Sequence, residues 1–133
     1  MGVAASIIFG FFPMILYALF IYWIDRYEKE PRLLLILVFI WGAVVASAGA
    51  FLINTIFGIS IYAFTGSETA ADLPTSTLIA PVSEEILKGF AVLLVFLLAR
   101  REFDSVLDGL VYAGITALGF AATENAYYIY TYG

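Results

Sequence analysis

The stretch LIAPVSEEILKGFAVLLVFLLA, running from Leu78 to Ala99, decides how this chain is read. It is long enough to cross a bilayer and is apolar except for three ionisable side chains, Glu84, Glu85 and Lys88, at its seventh, eighth and eleventh positions. A charge at the centre of a membrane helix costs about 2.5–3.5 kcal/mol on insertion scales, so three within one turn and a half need partners or water. They are the first candidates for a functional site.

Working outward, the whole chain has the composition of a membrane protein. Of its 133 residues 63% are hydrophobic, 17% aromatic and only 13% charged, with a mean hydropathy of +1.00. That profile lies outside the range of soluble domains. The fold class is therefore all-α, a polytopic transmembrane bundle. Four segments reach the roughly 20 residues that a 30 Å hydrocarbon core requires, at about 3–23, 33–57, 78–99 and 106–130. The first lacks a basic n-region and has too long an apolar run for a signal peptide, so it reads as a retained helix. Once the four are removed, no soluble domain remains.

Residues that are missing narrow the chemistry. There is no cysteine and no histidine, which removes disulfides, thiolate ligands, a cysteine nucleophile and the most frequent acid/base residue. Catalysis by this chain would have to use carboxylates, amides, lysine or hydroxyl groups. The net charge of −5, with no basic stripe, argues against nucleic acid as a partner.

Lysine and arginine set the expected orientation. Arg26, Lys29 and Arg32 lie in the first connection, Arg100 and Arg101 begin the third, and the second connection, Thr65 to Thr77, has none. The positive-inside rule then places connections one and three in the cytoplasm and both termini outside. Thr65 to Thr77, with Glu68, Asp72 and Pro74, reads as an external loop. The tyrosines Tyr127, Tyr128, Tyr130 and Tyr132, and Tyr22 with Trp23 at the other side, read as interfacial belts. Residues 25–32 read as a solvated, self-paired loop.

With this topology the glutamates lie roughly 10 Å below the outer end of their helix. Glu124 and Asn125 lie near the outer end of the last helix, and tilt brings the two clusters to one depth. Glu85 reaches Lys88 at i+3 and Glu84 reaches it at i+4. One carboxylate can be held charged by the lysine while the other exchanges a proton. Phe120 stacks on Glu124 at i+4, and Asn125 is a donor suited to a developing oxyanion. Pro81 removes a backbone donor and loosens the turn before the glutamates. Gly109, Ala113, Gly114, Ala117, Gly119, Ala121 and Ala122 let another helix approach closely, while Asp108 complements a helix N-terminus.

These residues together resemble the PrsW family of intramembrane proteases, within the larger group that includes the CAAX-processing membrane endopeptidases. The likeness rests on E-E-x-x-K, here Glu84 to Lys88; on F-x-x-x-E-N, here Phe120 to Asn125; and on the first connection, Asp25 to Pro31, supported by Asp108 to Tyr112. It implies a polytopic helical endopeptidase in which Glu84 and Glu85 activate or bind the hydrolytic water, Lys88 tunes them, and Glu124 and Asn125 complete the site. It also implies membrane-anchored protein substrates cut near the outer face, such as anti-sigma factors. A divalent metal such as zinc belongs to one reading of the group's chemistry, but its histidines, carried in later helices, are absent here. The likeness therefore covers the front portion of such a protein, and no complete zinc site is expected in this chain. Two other readings of the charged cluster are open. One is a proton- or cation-coupled carrier, small unless it oligomerises; the other is a non-catalytic membrane binding protein.

Overall fold

The computed structural model describes residues 2–25 and 31–133. Four long helices account for nearly all of them: α1 (Val3–Ile24), α2 (Arg32–Thr65), α3 (68–98) and α4 (Val106–Tyr132). Among the described residues there is no strand. The chain is an all-α membrane bundle. Helices α1, α2 and α4 are long and apolar enough to span a membrane on length and composition alone. Helix α3, which covers the expected span at about 78–99, is not among them because Glu84, Glu85 and Lys88 break its apolar run, and it is held in the bundle by α2 and α4.

The second connection differs from the expected loop. Helix α2 runs on to Thr65 and α3 begins at Glu68, so only Gly66 and Ser67 separate them. Gly66 ends α2 with φ 66°, a left-handed conformation open to glycine at low cost. Ser67 then caps α3 by accepting from the Ala70 amide, and Glu68 sits in the first turn, where a carboxylate suits the helix dipole. Polar composition and Pro74 suggested a loop, but cap chemistry made a helix.

Two helices widen locally. Helix α2 is π-helical over Trp41–Ala46 and α3 over Thr75–Ile79. The loosened turn expected at Pro81 therefore lies one turn earlier, between Pro74 and Pro81. Each proline withholds an amide from the ladder. The Ser76 and Thr77 hydroxyls donate to the Asp72 and Leu73 carbonyls in that gap.

Helix α4 is the axis of the bundle: α1, the π-helical part of α2 and α3 all pack on it, while α1 and α2 barely touch each other. Small residues make this close approach work. A Cβ on Gly119 would overlap the Phe39 carbonyl, one on Gly42 the Thr116 carbonyl, and one on Gly10 the Ala126 backbone. The small residues of α4 thus serve packing, as expected. At the end holding connections one and three, Leu35, Val38, Ala91, Val95, Val111, Tyr112 and Ile115 form the larger core cluster. A capping box opens α4: Asp108 Oδ2 accepts from the Ser105 amide at 3.1 Å and the Asp104 amide at 2.8 Å, and Ser105 Oγ accepts from the Asp108 amide at 3.4 Å. Asp108 is buried and caps α4, which complements the helix dipole.

Most of residues 25–32, the expected solvated loop, lies outside the described residues. Of its ends, Asp25 is buried rather than solvated, and Arg32 is exposed. The tyrosines of the C-terminal belt are exposed, and Tyr128 stacks on Tyr132.

Two glycines that look alike in sequence should respond oppositely to alanine. Gly119→Ala forces two backbones apart and should destabilise by about 1–3 kcal/mol. Gly89 has open space around its Cβ position, and Gly89→Ala should stabilise by up to about 1 kcal/mol through helix propensity. Equilibrium unfolding in mixed micelles measures both.

Candidate active site

Helices α3 and α4 carry the five predicted side chains, and the structure sorts them into two pairs and an outlier. Lys88 Nζ lies 2.6 Å from Glu85 Oε1, one turn apart on α3. Its side chain is 20% exposed against 74% for Glu85, so the pair runs from the helix interface outward. The same ammonium sits 4.9 Å from the centre of the buried Phe120 ring on α4, a cation–π contact that gives the lysine a second partner. Phe120 is thus both a packing residue and the lysine's apolar seat.

Glu84 is less exposed than Glu85. It is half-buried and lies within electrostatic range of Glu124 across the α3–α4 interface, as well as of Lys88 and Glu85. Glu124 is also half-buried. Of the two partners that helical spacing allows, Lys88 forms its ion pair with Glu85, while Glu84 lies within electrostatic range of a second carboxyl as well as of the lysine. Asn125 is exposed, and among the described residues its side chain makes no hydrogen bond.

The turn that carries these charges is held by α2 at both ends. Ser83, immediately before Glu84, is buried, and its Oγ lies 3.1 Å from both Asn54 Oδ1 and the Ala80 carbonyl. Leu87, immediately before Lys88, has its carbonyl bonded at 2.8 Å by Trp41 Nε1. On the opposite side, Thr123, immediately before Glu124, donates from Oγ1 to the Ala43 carbonyl at 2.6 Å. Trp41 and Ala43 both belong to the π-helical segment of α2, a distortion that recurs at functional sites.

Sequence reading missed this second layer. Asn54 carried a usable signal, because a lone amide in an apolar span is a functional-site candidate by default. Trp41, Ser83 and Thr123 carried none, since their roles depend on which helix lies opposite.

The donor set does not suit a complete zinc site. Zinc at a catalytic site takes three protein ligands, commonly with histidine or cysteine among them. Here Glu85 is drawn to Lys88, which leaves Glu84 and Glu124. Among the described residues no three acidic groups converge.

Comparison with known proteins agrees with the geometry. Residues 30–133 match the model of the PrsW family, described as intramembrane metalloproteases. The chain is similar to Protease PrsW of Clostridioides difficile (strain 630), 32% identical over 114 residues that cover 83% of this chain and 45% of that protein. It is also similar to Protease PrsW of Geobacillus kaustophilus (strain HTA426), 30% identical over 124 residues, 93% of this chain and 52% of that protein. The chain thus spans about half the length of the curated relatives it matches. No solved structure matches it.

The α2 clamp has a measurable strength. Asn54→Leu should cost about 0.6 kcal/mol, and no more than about 1.7, the range of interhelical hydrogen bonds in a bilayer. A double-mutant cycle with Ser83→Ala should assign that loss to the pair.

Proposed function

The chain belongs to the PrsW protease family, and we propose that its Glu84 and Glu124 are the acid–base pair of an endopeptidase acting on membrane-anchored proteins. The observation that carries this reading is the division of labour at the charged turn: Glu85 is paired with Lys88, while half-buried Glu84 lies within electrostatic range of Glu124.

Peptide hydrolysis asks for a base to take a proton from water, a group to stabilise the oxyanion, and a proton for the leaving amine. Glu84, as the carboxylate, accepts the water proton while the water oxygen attacks the scissile carbonyl carbon. The proton that the two carboxyls share hydrogen-bonds the developing oxyanion. The proton taken up by Glu84 passes to the amine nitrogen as the C–N bond breaks. Two facing carboxyls holding one proton between them are a known solution to this problem. Lys88, fixed by Glu85 and Phe120, keeps a positive charge beside the pair, and Asn125 offers an amide to the substrate backbone. A divalent metal such as zinc, which the family description implies, would need ligands beyond Glu84 and Glu124.

The positive-inside rule favours an orientation with both termini outside. The carboxyl pair then opens toward the outer leaflet, and the substrate is cut near that face. The family likeness favours a regulatory substrate such as an anti-sigma factor.

The test is a reconstituted cleavage assay on the full-length protein with a membrane-anchored substrate. Glu84→Gln should lower the rate by about 10²–10⁴, the usual worth of a general base, with helix content unchanged. Glu85→Gln should cost much less, because it removes only the lysine's partner. Ion or proton flux through vesicles, lost in Glu84→Gln without any peptide product, would favour a carrier instead.

A further inference from the structure

Helices α1 and α2 both pack on α4 and meet each other at few side chains, and the gap between them is a crevice of about 540 Å³. Its walls are almost wholly apolar: Ile15 and Leu19 on α1, Leu35, Ile36 and Phe39 on α2, with Ile115 of α4 behind. At the bundle interior Phe11 and Phe39 meet edge to face, with ring centres 6.4 Å apart. The other end is polar. There Arg32 donates from Nε to the Tyr22 hydroxyl at 3.1 Å, and its guanidinium lies 5.8 Å from the centre of the Tyr22 ring.

Arg32 is not serving its own helix, because a cation in the first turn opposes the helix dipole. Its Nε bond to Tyr22 orients the guanidinium at the rim, and among the described residues the two Nη groups have no acceptor. Guanidinium nitrogens in this arrangement suit a phosphate, which they can bind in bidentate fashion. The rim lies at the end of the bundle that holds connections one and three, where basic and acidic residues alternate in sequence, so selectivity for an anion rests on Arg32 itself. Basic sites between transmembrane helices at that level recognise anionic lipid headgroups.

We propose that this crevice is a binding site for one anionic phospholipid, its phosphate on Arg32 and an acyl chain between α1 and α2. From Arg32 to Ile40 the groove runs roughly 12 Å along α2, and its volume falls in the range of ligand pockets. Charge complementarity at the rim and an apolar shaft below select an amphiphile. A free phosphate would meet the arginine but leave the shaft empty. The site lies on the α1 side of α2, away from the carboxyls, and does not depend on what they do.

Native mass spectrometry of the full-length protein in mild detergent, titrated with equal amounts of phosphatidylglycerol and phosphatidylcholine of matched chains, tests it. Phosphatidylglycerol should be retained about fivefold over phosphatidylcholine, the attraction of one interfacial arginine. Arg32→Gln should bring that ratio close to one. Ile36→Trp, which fills the shaft and leaves Arg32 in place, should reduce retention of both lipids. Equal retention by the unaltered protein, or selectivity that survives Arg32→Gln, would overturn the proposal. So would displacement of phosphatidylglycerol by millimolar inorganic phosphate. Disulfide dimers that depend on Ile36→Cys would also overturn it, by showing a second copy over the groove.

Discussion

Gly42 and Gly119 let the backbones of α2 and α4 meet with no side chain between them. That contact sets how far Thr123 is from the Ala43 carbonyl, and so where Glu124 stands. It also places the π-helical segment of α2 so that Trp41 reaches Leu87 on α3. Hydrocarbon gives no hydrophobic drive for helices to associate, so close van der Waals approach and interhelical hydrogen bonds must fix their register. Here both work on the same few residues. The carboxyls do not hold the helices together; the helices hold the carboxyls.

This arrangement explains how three ionisable side chains coexist on one turn of α3. Lys88 neutralises Glu85 and shares the face of Phe120, so a cation and an anion enter the membrane as a pair with an aromatic partner. Glu84, with the lysine's ion pair taken by Glu85, lies within electrostatic range of Glu124 across the helix interface. A second half-buried carboxyl beside the first is a poor way to stabilise a bundle and a good way to move a proton. A purely structural ion-pair lock would have no use for the second carboxyl.

The sequence made the membrane class plain, because composition and run length measure the cost of transfer into hydrocarbon directly. It also made the charged turn and Glu124 plain, because intramembrane carboxylates stand out wherever they occur. The 65–77 segment was misread, since Pro74 and the polar residues around it suggest a loop, whereas Gly66 and Ser67 confine the break to two residues. Which glutamate pairs with Lys88 could not be read, because i+3 and i+4 are both neighbours on a helix. The groups that decide it, Phe120 and Glu124, come from another helix. The π-helical segments have no sequence signature of their own, and the roles of Trp41 and Thr123 follow from the one in α2, while that of Ser83 follows from Asn54 lying opposite it.

The central claim is that Glu84, not Glu85, faces Glu124. These 133 residues contain no cysteine, so pairs of cysteines introduced within them report proximity directly. The most direct measurement compares Glu84→Cys with Glu85→Cys, each combined with Glu124→Cys, for capture by a short bifunctional thiol reagent in native membranes. The account predicts rapid cross-linking of the 84–124 pair and little of the 85–124 pair. Equal capture of both, or preferential capture of 85–124, would contradict it.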